Sequence, residues 1–290
     1  MKPILPVLVG PLKPASRQGS ELRAHLKNII QNEALMQASD FDAARSRAVC
    51  YGNRLSLIRD HQTAPVHWAE GILSGKLSYY SRLLHADLHP DTHAPSAVVD
   101  SLLFGADGLP LSPQKLCAEA ARVVKVHDSY PDLCPEEGLV RLGIDLKLVG
   151  EFVHIIPGDD NDFAAEELPV PSRTMTLAAA LKGLKFDHRR TDIGDLDLDF
   201  FSLLQTMPYA RQADLDRDLT DLVRLYKLAD PGIVTVAFSP VSTNGLIMYN
   251  SRSLDENVEI VARLIEELEI DARQPRLIDE PRRDGRFSPK

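Results

Sequence analysis

What this chain has little of narrows its function first. Its 290 residues hold three cysteines, Cys50, Cys117 and Cys134, an odd count without CxxC spacing. That excludes a disulfide framework and a thiolate zinc site, and fits reduced thiols in a cytoplasmic protein. No apolar run approaches the ~18 residues of a membrane span. The opening stretch, MKPILPVLVGPLKPAS, has too short an apolar part and too much proline for a signal peptide. Positive charge is in deficit: 33 Lys and Arg stand against 42 Asp and Glu, a net charge of −9. Phosphate contacts need a cationic face, so nucleic-acid binding is disfavoured, whereas a cationic ligand is compatible. There is no internal repeat and no low-complexity block. What remains is an ordinary globular composition, 44% hydrophobic and 26% charged, long enough for a large core without a structural metal.

The apolar pattern divides the chain. Residues 1–48 read as a proline-bearing arm followed by a helix from Ser20, with Leu22, Leu26, Ile29, Ile30 and Leu35 near the helical repeat. Strand patterns occur at 48–51, 55–58, the second half of 77–84, 152–156, 196–201 and 233–238. Helical patterns start near Pro65, cover 96–104 and 113–124, run through Leu215, Leu219, Leu222, Val223 and Tyr226, and return over 254–268. Residues 157–173 read as a long acidic, proline-bearing loop, and the Arg-, Asp- and Pro-rich tail 272–290 as mobile. Strands alternating with helices over 49–271 predict an α/β domain with a mostly parallel sheet. Such sheets bind ligands beyond the carboxyl ends of their strands.

Two clusters lie at such ends. The first is His85-Ala86-Asp87-Leu88-His89-Pro90-Asp91, where an extended backbone would turn Asp87, His89 and Asp91 to one face. Carboxylates mixed with imidazole suit Mn²⁺, Mg²⁺ or Fe²⁺. The plain alternative is a solvated polar turn, but four alternating ionisable groups directly after Leu83-Leu84 weigh against it. The second is Asp195-Leu196-Asp197-Leu198-Asp199-Phe200-Phe201. Three carboxylates on one strand face repel each other unless a cation compensates them, and the flanking Leu and Phe speak for burial rather than a solvated edge. Two such clusters on neighbouring strand ends can supply the bridging carboxylates of two metals about 3.5–4 Å apart.

Asp60-His61, Asp87-Leu88-His89-Pro90-Asp91 and Asp197-Leu198-Asp199, in this order, resemble the arginase (ureohydrolase) superfamily over roughly residues 49–245. The glycine usual before the first Asp-His and the Asp-Pro after the last segment are absent. The pattern is more similar to a divergent branch that includes peptide arginases, which convert arginine in ribosomally made precursor peptides to ornithine and release urea. The resemblance implies a three-layer fold with the metal site at the C-terminal strand ends. It also implies a binuclear Mn²⁺ centre: His61, Asp87, Asp91 and Asp197 for one ion, His89, Asp87, Asp197 and Asp199 for the other. Asp91 would in addition accept a hydrogen bond from the attacking water. An Asp195/Asp197 register is possible; the Asp197/Asp199 register sets Phe200 where the family is apolar and leaves Asp195 behind the ligands. Glu151, at a strand start, is the candidate for gripping the substrate guanidinium, and His93 for delivering a proton to the leaving amine. His67 and His85 read as packing or supporting residues.

The function implied is hydrolysis of an arginine side chain in a precursor peptide, giving ornithine and urea. The sequence leaves open a related C–N hydrolase acting on agmatine-like guanidines or acetylated amines, and a metal-binding interaction protein without catalysis. A metallophosphatase would need a G-N-H-D/E segment, which is missing. Oligomeric state is not legible.

Overall fold

The computed structural model describes residues 17–31, 48–58, 61–93, 111–129, 138–157, 167–186, 191–201, 212–238, 254–273, 275–281 and 287–289. Their strands are β1 (Ala48–Tyr51), β2 (Leu55–Ile58), β3 (Ser81–Ala86), β4 (Val149–Ile156), β5 (Ser172–Thr176), β6 (Asp192–Asp197), β7 (Ile233–Ala237), β8 (Arg276–Pro281) and β9 (Phe287–Pro289). All join one sheet, in the order β5-β4-β3-β6-β7-β2-β1-β8-β9. From β5 to β2 every neighbour is parallel, and from β2 to β9 every neighbour is antiparallel. The fold is thus α/β with a mostly parallel sheet, as the alternation of patterns predicts.

The helices are α1 (Arg17–Gln31), α2 (Ala64–Leu73), α3 (Pro113–Ser129), α4 (Leu139–Asp145), α5 (Leu177–Gly183), α6 (Gln212–Ala229) and α7 (Leu254–Glu267). They cover both faces of the sheet, because alternate strand residues are apolar toward both sides. Leu84, Val153, Leu196, Val234 and Val236 pack with residues of α1, α5, α6 and α7. Leu83, Phe152, Ile193, Ile233 and Ala237 pack with residues of α2, α3 and α4. Three layers result. The β1–β2 hairpin turns through Gly52 and Asn53, both left-handed (φ 55° and 53°), the geometry that matches the twist of the flanking strands.

Several expectations shift in detail. The loop expected over 157–173 ends early, since β5 begins at Ser172 and pairs with β4; α4 and α5 are too short for a helical period to stand out. Within the tail expected to be mobile, β8 and β9 extend the sheet beyond β1. The N-terminal helix packs on α7, where Arg23 forks between Glu259 (2.6 Å) and Glu266 (2.7 Å). The patch 96–104, Leu35 and residues 1–16 lie outside the described residues.

Candidate metal centre

Two strand ends and one short turn build the site. β3 stops at Ala86 and β6 at Asp197, neighbours in the sheet with His85 opposite Asp195. A single 3₁₀ turn after β2, His61–Thr63, brings His61 over them. The extended backbone expected for 87–91 is not what aligns the ligands. Instead each strand end closes on itself: the His89 N–H donates to Asp87 Oδ1 (2.8 Å), and the Asp199 N–H to Asp197 Oδ1 (3.0 Å). This is the side-chain-to-backbone turn that aspartate makes two residues ahead. It explains why D-x-H and D-x-D spacing serve here: one oxygen of the first aspartate shapes the turn, and the other is left to face the site. Asp91 takes a left-handed φ of 48°, and its carbonyl accepts from the Val140 N–H of α4 (3.1 Å), which pins the loop.

His61 sits at the centre. Its Nδ1 lies 3.2 Å from Asp87 Oδ2 and 3.3 Å from both Asp91 Oδ2 and Asp197 Oδ2, yet makes no hydrogen bond. Beside this group, His89 Nδ1 lies 3.3 Å from Asp199 Oδ2 and 3.6 Å from Asp87 Oδ1. The structure therefore brings His61, Asp87, Asp91 and Asp197 together in one group and His89, Asp87 and Asp199 in another, with Asp87 between them. His85, with Nε2 3.4 Å from Asp87 Oδ2, also lies beside the first group. All but His89 are buried, and His89 is half-buried. Ligand atoms about 3 Å apart are what a six-coordinate ion with bonds of about 2.1 Å requires. Four buried carboxylates against two imidazoles also leave negative charge that a cation would neutralise. The donor set fits one or two hard divalent ions.

The charges perturb one another strongly. Burial and the neighbouring Asp87 push Asp91 up to about 6. Burial and the Asp197 and Asp87 charges hold Asp199 well above the carboxylate range. Burial opposes ionisation of Asp87 too, but the neighbouring His61 and His89 imidazoles outweigh it and leave Asp87 well below that range. Hydrogen bonding with Asp199 and Asp87 lifts His89 to about 11. Strong perturbation by burial and specific partners marks functional sites.

Asp195 is no ligand here. Its Oδ2 accepts from His61 Nε2 (2.7 Å) and His85 Nδ1 (2.8 Å), Thr235 donates to its Oδ1, and its carbonyl accepts from Tyr226 Oη (2.9 Å). His85 stacks on His61, ring centroids 5.3 Å apart, and its Nε2 lies 3.1 Å from the His89 carbonyl. Thr235 and Tyr226 escape a reading of the sequence because each looks like core within an apolar run; a lone hydroxyl in Ile233-Val234-Thr235-Val236-Ala237 is the available signal.

Other expectations land elsewhere. Glu151 pairs with Arg173 (2.6 Å) on the neighbouring strand, and its register partner is Arg82, four residues before Ala86. That is about 13 Å of strand away from the ligands, so Glu151 is not brought to the site. His93 lies two residues beyond Asp91 and is exposed. His67 is buried in α2 and belongs to neither ligand group. Asp60 lies outside the described residues.

Among the described residues no helix is long and apolar enough to cross a membrane. No family model matches the chain, and no curated protein does. Among solved structures it is similar to proclavaminate amidino hydrolase from Streptomyces clavuligerus at 16% identity, over 89% of this chain and 73% of that one, with a TM-score of 0.41. A hypothetical agmatinase from Burkholderia thailandensis follows at 15% identity, over 87% of this chain and 64% of that one, with a TM-score of 0.39. Likeness this distant says nothing of what this chain acts on.

Proposed function

We propose that this chain is a guanidino hydrolase with a binuclear Mn²⁺ centre, which cleaves an arginine side chain within a precursor peptide to ornithine and urea. The observation that carries the metal reading is the buried His61 Nδ1, without a hydrogen bond and faced by three carboxylate oxygens at 3.2–3.3 Å. The reaction is read from the arginase-like order of Asp60-His61, Asp87-x-His89-x-Asp91 and Asp197-x-Asp199. His61, Asp87, Asp91 and Asp197 would hold one ion, and His89, Asp87, Asp197 and Asp199 the other.

Two divalent ions so held supply a lowered pKa for water and charge stabilisation for a tetrahedral carbon. The protein's own part is positional. The two aspartate turns fix the carboxylates before anything binds, so little reorganisation is needed. Asp91 would, besides holding its ion, accept a hydrogen bond from the attacking water and so align it. His93, exposed two residues beyond Asp91, would deliver a proton to the leaving amine. The acid that pairs with the guanidinium is a residue other than Glu151. A net charge of −9 suits a cationic peptide.

The test is mass spectrometry of Arg-containing precursor peptides incubated with the Mn²⁺-loaded protein, with Asp197→Ala as control. A loss of ~42 Da per arginine, with urea in solution and neither in the control, is expected. Two bound ions with no mass change on any Arg peptide would discard arginine as the substrate, and agmatine-like guanidines or acetylated amines are then the compounds to assay.

A further inference from the structure

Beneath the ligands, one level of the sheet is polar where the next is apolar. His154, His85, Asp195, Thr235, Ser56 and Cys50 are successive register partners on β4, β3, β6, β7, β2 and β1, and all six are buried. The level below on β4, β3, β6 and β7 is Phe152, Leu83, Ile193 and Ile233. Asp87 and Asp197 follow His85 and Asp195 by two residues, so they stand directly above them on the same face. A buried polar row costs stability unless its members find partners. His85 and Thr235 find theirs in the Asp195 carboxylate, Cys50 and Ser56 in each other, and His154 Nε2 in the Asp87 carbonyl.

We propose that Asp195 is the positioning residue of the metal centre: its carboxylate keeps the His61 proton on Nε2 and so turns the Nδ1 lone pair toward Asp87, Asp91 and Asp197. The proposal rests on the two-ion reading above. A neutral imidazole has one donor and one acceptor nitrogen, and the partner of one decides the role of the other. Asp195 Oδ2, 2.7 Å from His61 Nε2, can only accept. The carboxylate cannot swing away, because the Thr235 hydroxyl holds Oδ1 and Tyr226 holds the Asp195 carbonyl. Thr235 is set in turn by the Trp68 indole N–H, which donates to its oxygen (3.2 Å) and leaves the hydroxyl proton for Asp195. Trp68 itself is wedged by α4: a Cβ at Gly143 would stand 2.8 Å from its ring. Orientation therefore passes from an indole in the core through Thr235 and Asp195 to His61. His85, on the same Asp195 oxygen and within reach of the His89 carbonyl, ties the turn of the second ligand set to that anchor. An asparagine would offer one accepting oxygen for three donors. With its amide toward His61, the ring's N–H would point into the carboxylates where an ion must sit.

Mn²⁺ titrations of the wild-type protein, Asp195→Asn and Thr235→Val, with free ion followed by its electron paramagnetic resonance signal, test this. The fluorescence of Trp68, the single tryptophan, adds a second readout. The wild-type protein is expected to bind two ions. Asp195→Asn, with an unchanged circular dichroism spectrum, should bind the ion that His61 faces about 10–100-fold more weakly and the other, held to Asp195 only through His85, less than about tenfold more weakly. Thr235→Val should weaken the same ion about 3–10-fold and uncouple Trp68 fluorescence from metal binding. A folded Asp195→Asn with wild-type affinity for both ions overturns the proposal. Should that variant not fold, unchanged affinities in Thr235→Val overturn it. A wild-type protein that binds no ion overturns both the proposal and the two-ion reading. The expected variant effects without urea release support the positioning role and discard only the assigned reaction.

Discussion

Asp87 and Asp199 flank the same imidazole, with oxygens 3.6 Å and 3.3 Å from His89 Nδ1, yet burial and partners drive their acidities in opposite directions. Asp87 gains from His61 and His89 together. Asp199 has burial and the Asp197 and Asp87 charges against it. A carboxyl held above its ordinary range favours folding only while protonated, so above about pH 4 its ionisation costs stability. Asp199→Asn removes this cost together with the pairing that lifts His89, so without metal Tm at pH 7 should stay within about 2 °C of wild type, while Mn²⁺ affinity falls at least about tenfold. Thermal unfolding in chelator beside a metal titration checks both. A Tm lower by more than this would mean that Asp199 supports the apo fold, against the charge argument.

The two histidines should separate the ions. His61 faces Asp87, Asp91 and Asp197, whereas His89 faces Asp87 and Asp199. Each of His61→Ala and His89→Ala should then leave one ion bound near its wild-type affinity and weaken the other by about 10–100-fold, with hydrolysis lost in both. Ion counts by equilibrium dialysis decide. Loss of both ions from His89→Ala alone would show one shared site rather than two.

How the ligands were legible, and where legibility stopped, follows from the local physics. The alternations H-x-D-x-H-x-D and D-x-D-x-D survive in the sequence because aspartate shapes its own turn two residues ahead, a local effect. Which aspartate of the second cluster ligates is not local. It depends on β6 running through Asp195 to Asp197, with Asp195 opposite His85 and Thr235, and only pairing with β3 and β7 settles that. Glu151 shows the limit from the other side. Its strand is correctly placed in the sequence, but its position along β4 is fixed by Arg82 and Arg173, which lie distant in sequence. The antiparallel extension by β8 and β9 is hidden for a similar reason, since Arg-, Asp- and Pro-rich segments carry no strand period of their own.

At the opposite end of the sheet, Arg82 and Asp192 are register partners joined by two bonds, Nε to Oδ1 at 3.0 Å and Nη2 to Oδ2 at 2.6 Å, both ends buried. Arg82 also donates to the Lys185 carbonyl and lies over the Phe186 ring. Asp192→Ala leaves a buried guanidinium without its counter-charge and should cost about 3–5 kcal/mol in chemical unfolding. Since the pair is remote from the strand ends that carry the ligands, Mn²⁺ affinity of the folded variant should stay within about twofold of wild type. A marked loss of metal binding would show that the strand pair, not only the turns, sets the ligand geometry.

His67 gives the last expectation, for acid. It is buried in α2, and burial pushes its imidazole down to about 3. The folded state therefore holds it neutral, while the unfolded chain takes up a proton near pH 6.5. Above that value the two states bind the same number of protons and His67 adds no pH dependence. Below it the unfolded state binds one more, so stability falls as pH falls, until the folded state also protonates near pH 3. Between pH 7.5 and pH 5 this amounts to about 2 kcal/mol. Urea unfolding of wild type and His67→Phe at both pH values, in chelator to remove metal, isolates it. Altered packing in the variant shifts stability equally at every pH, whereas the drop from pH 7.5 to pH 5 should shrink by about that amount. An equal drop in both proteins would mean that His67 is charged inside the fold, paired with a group that keeps it so.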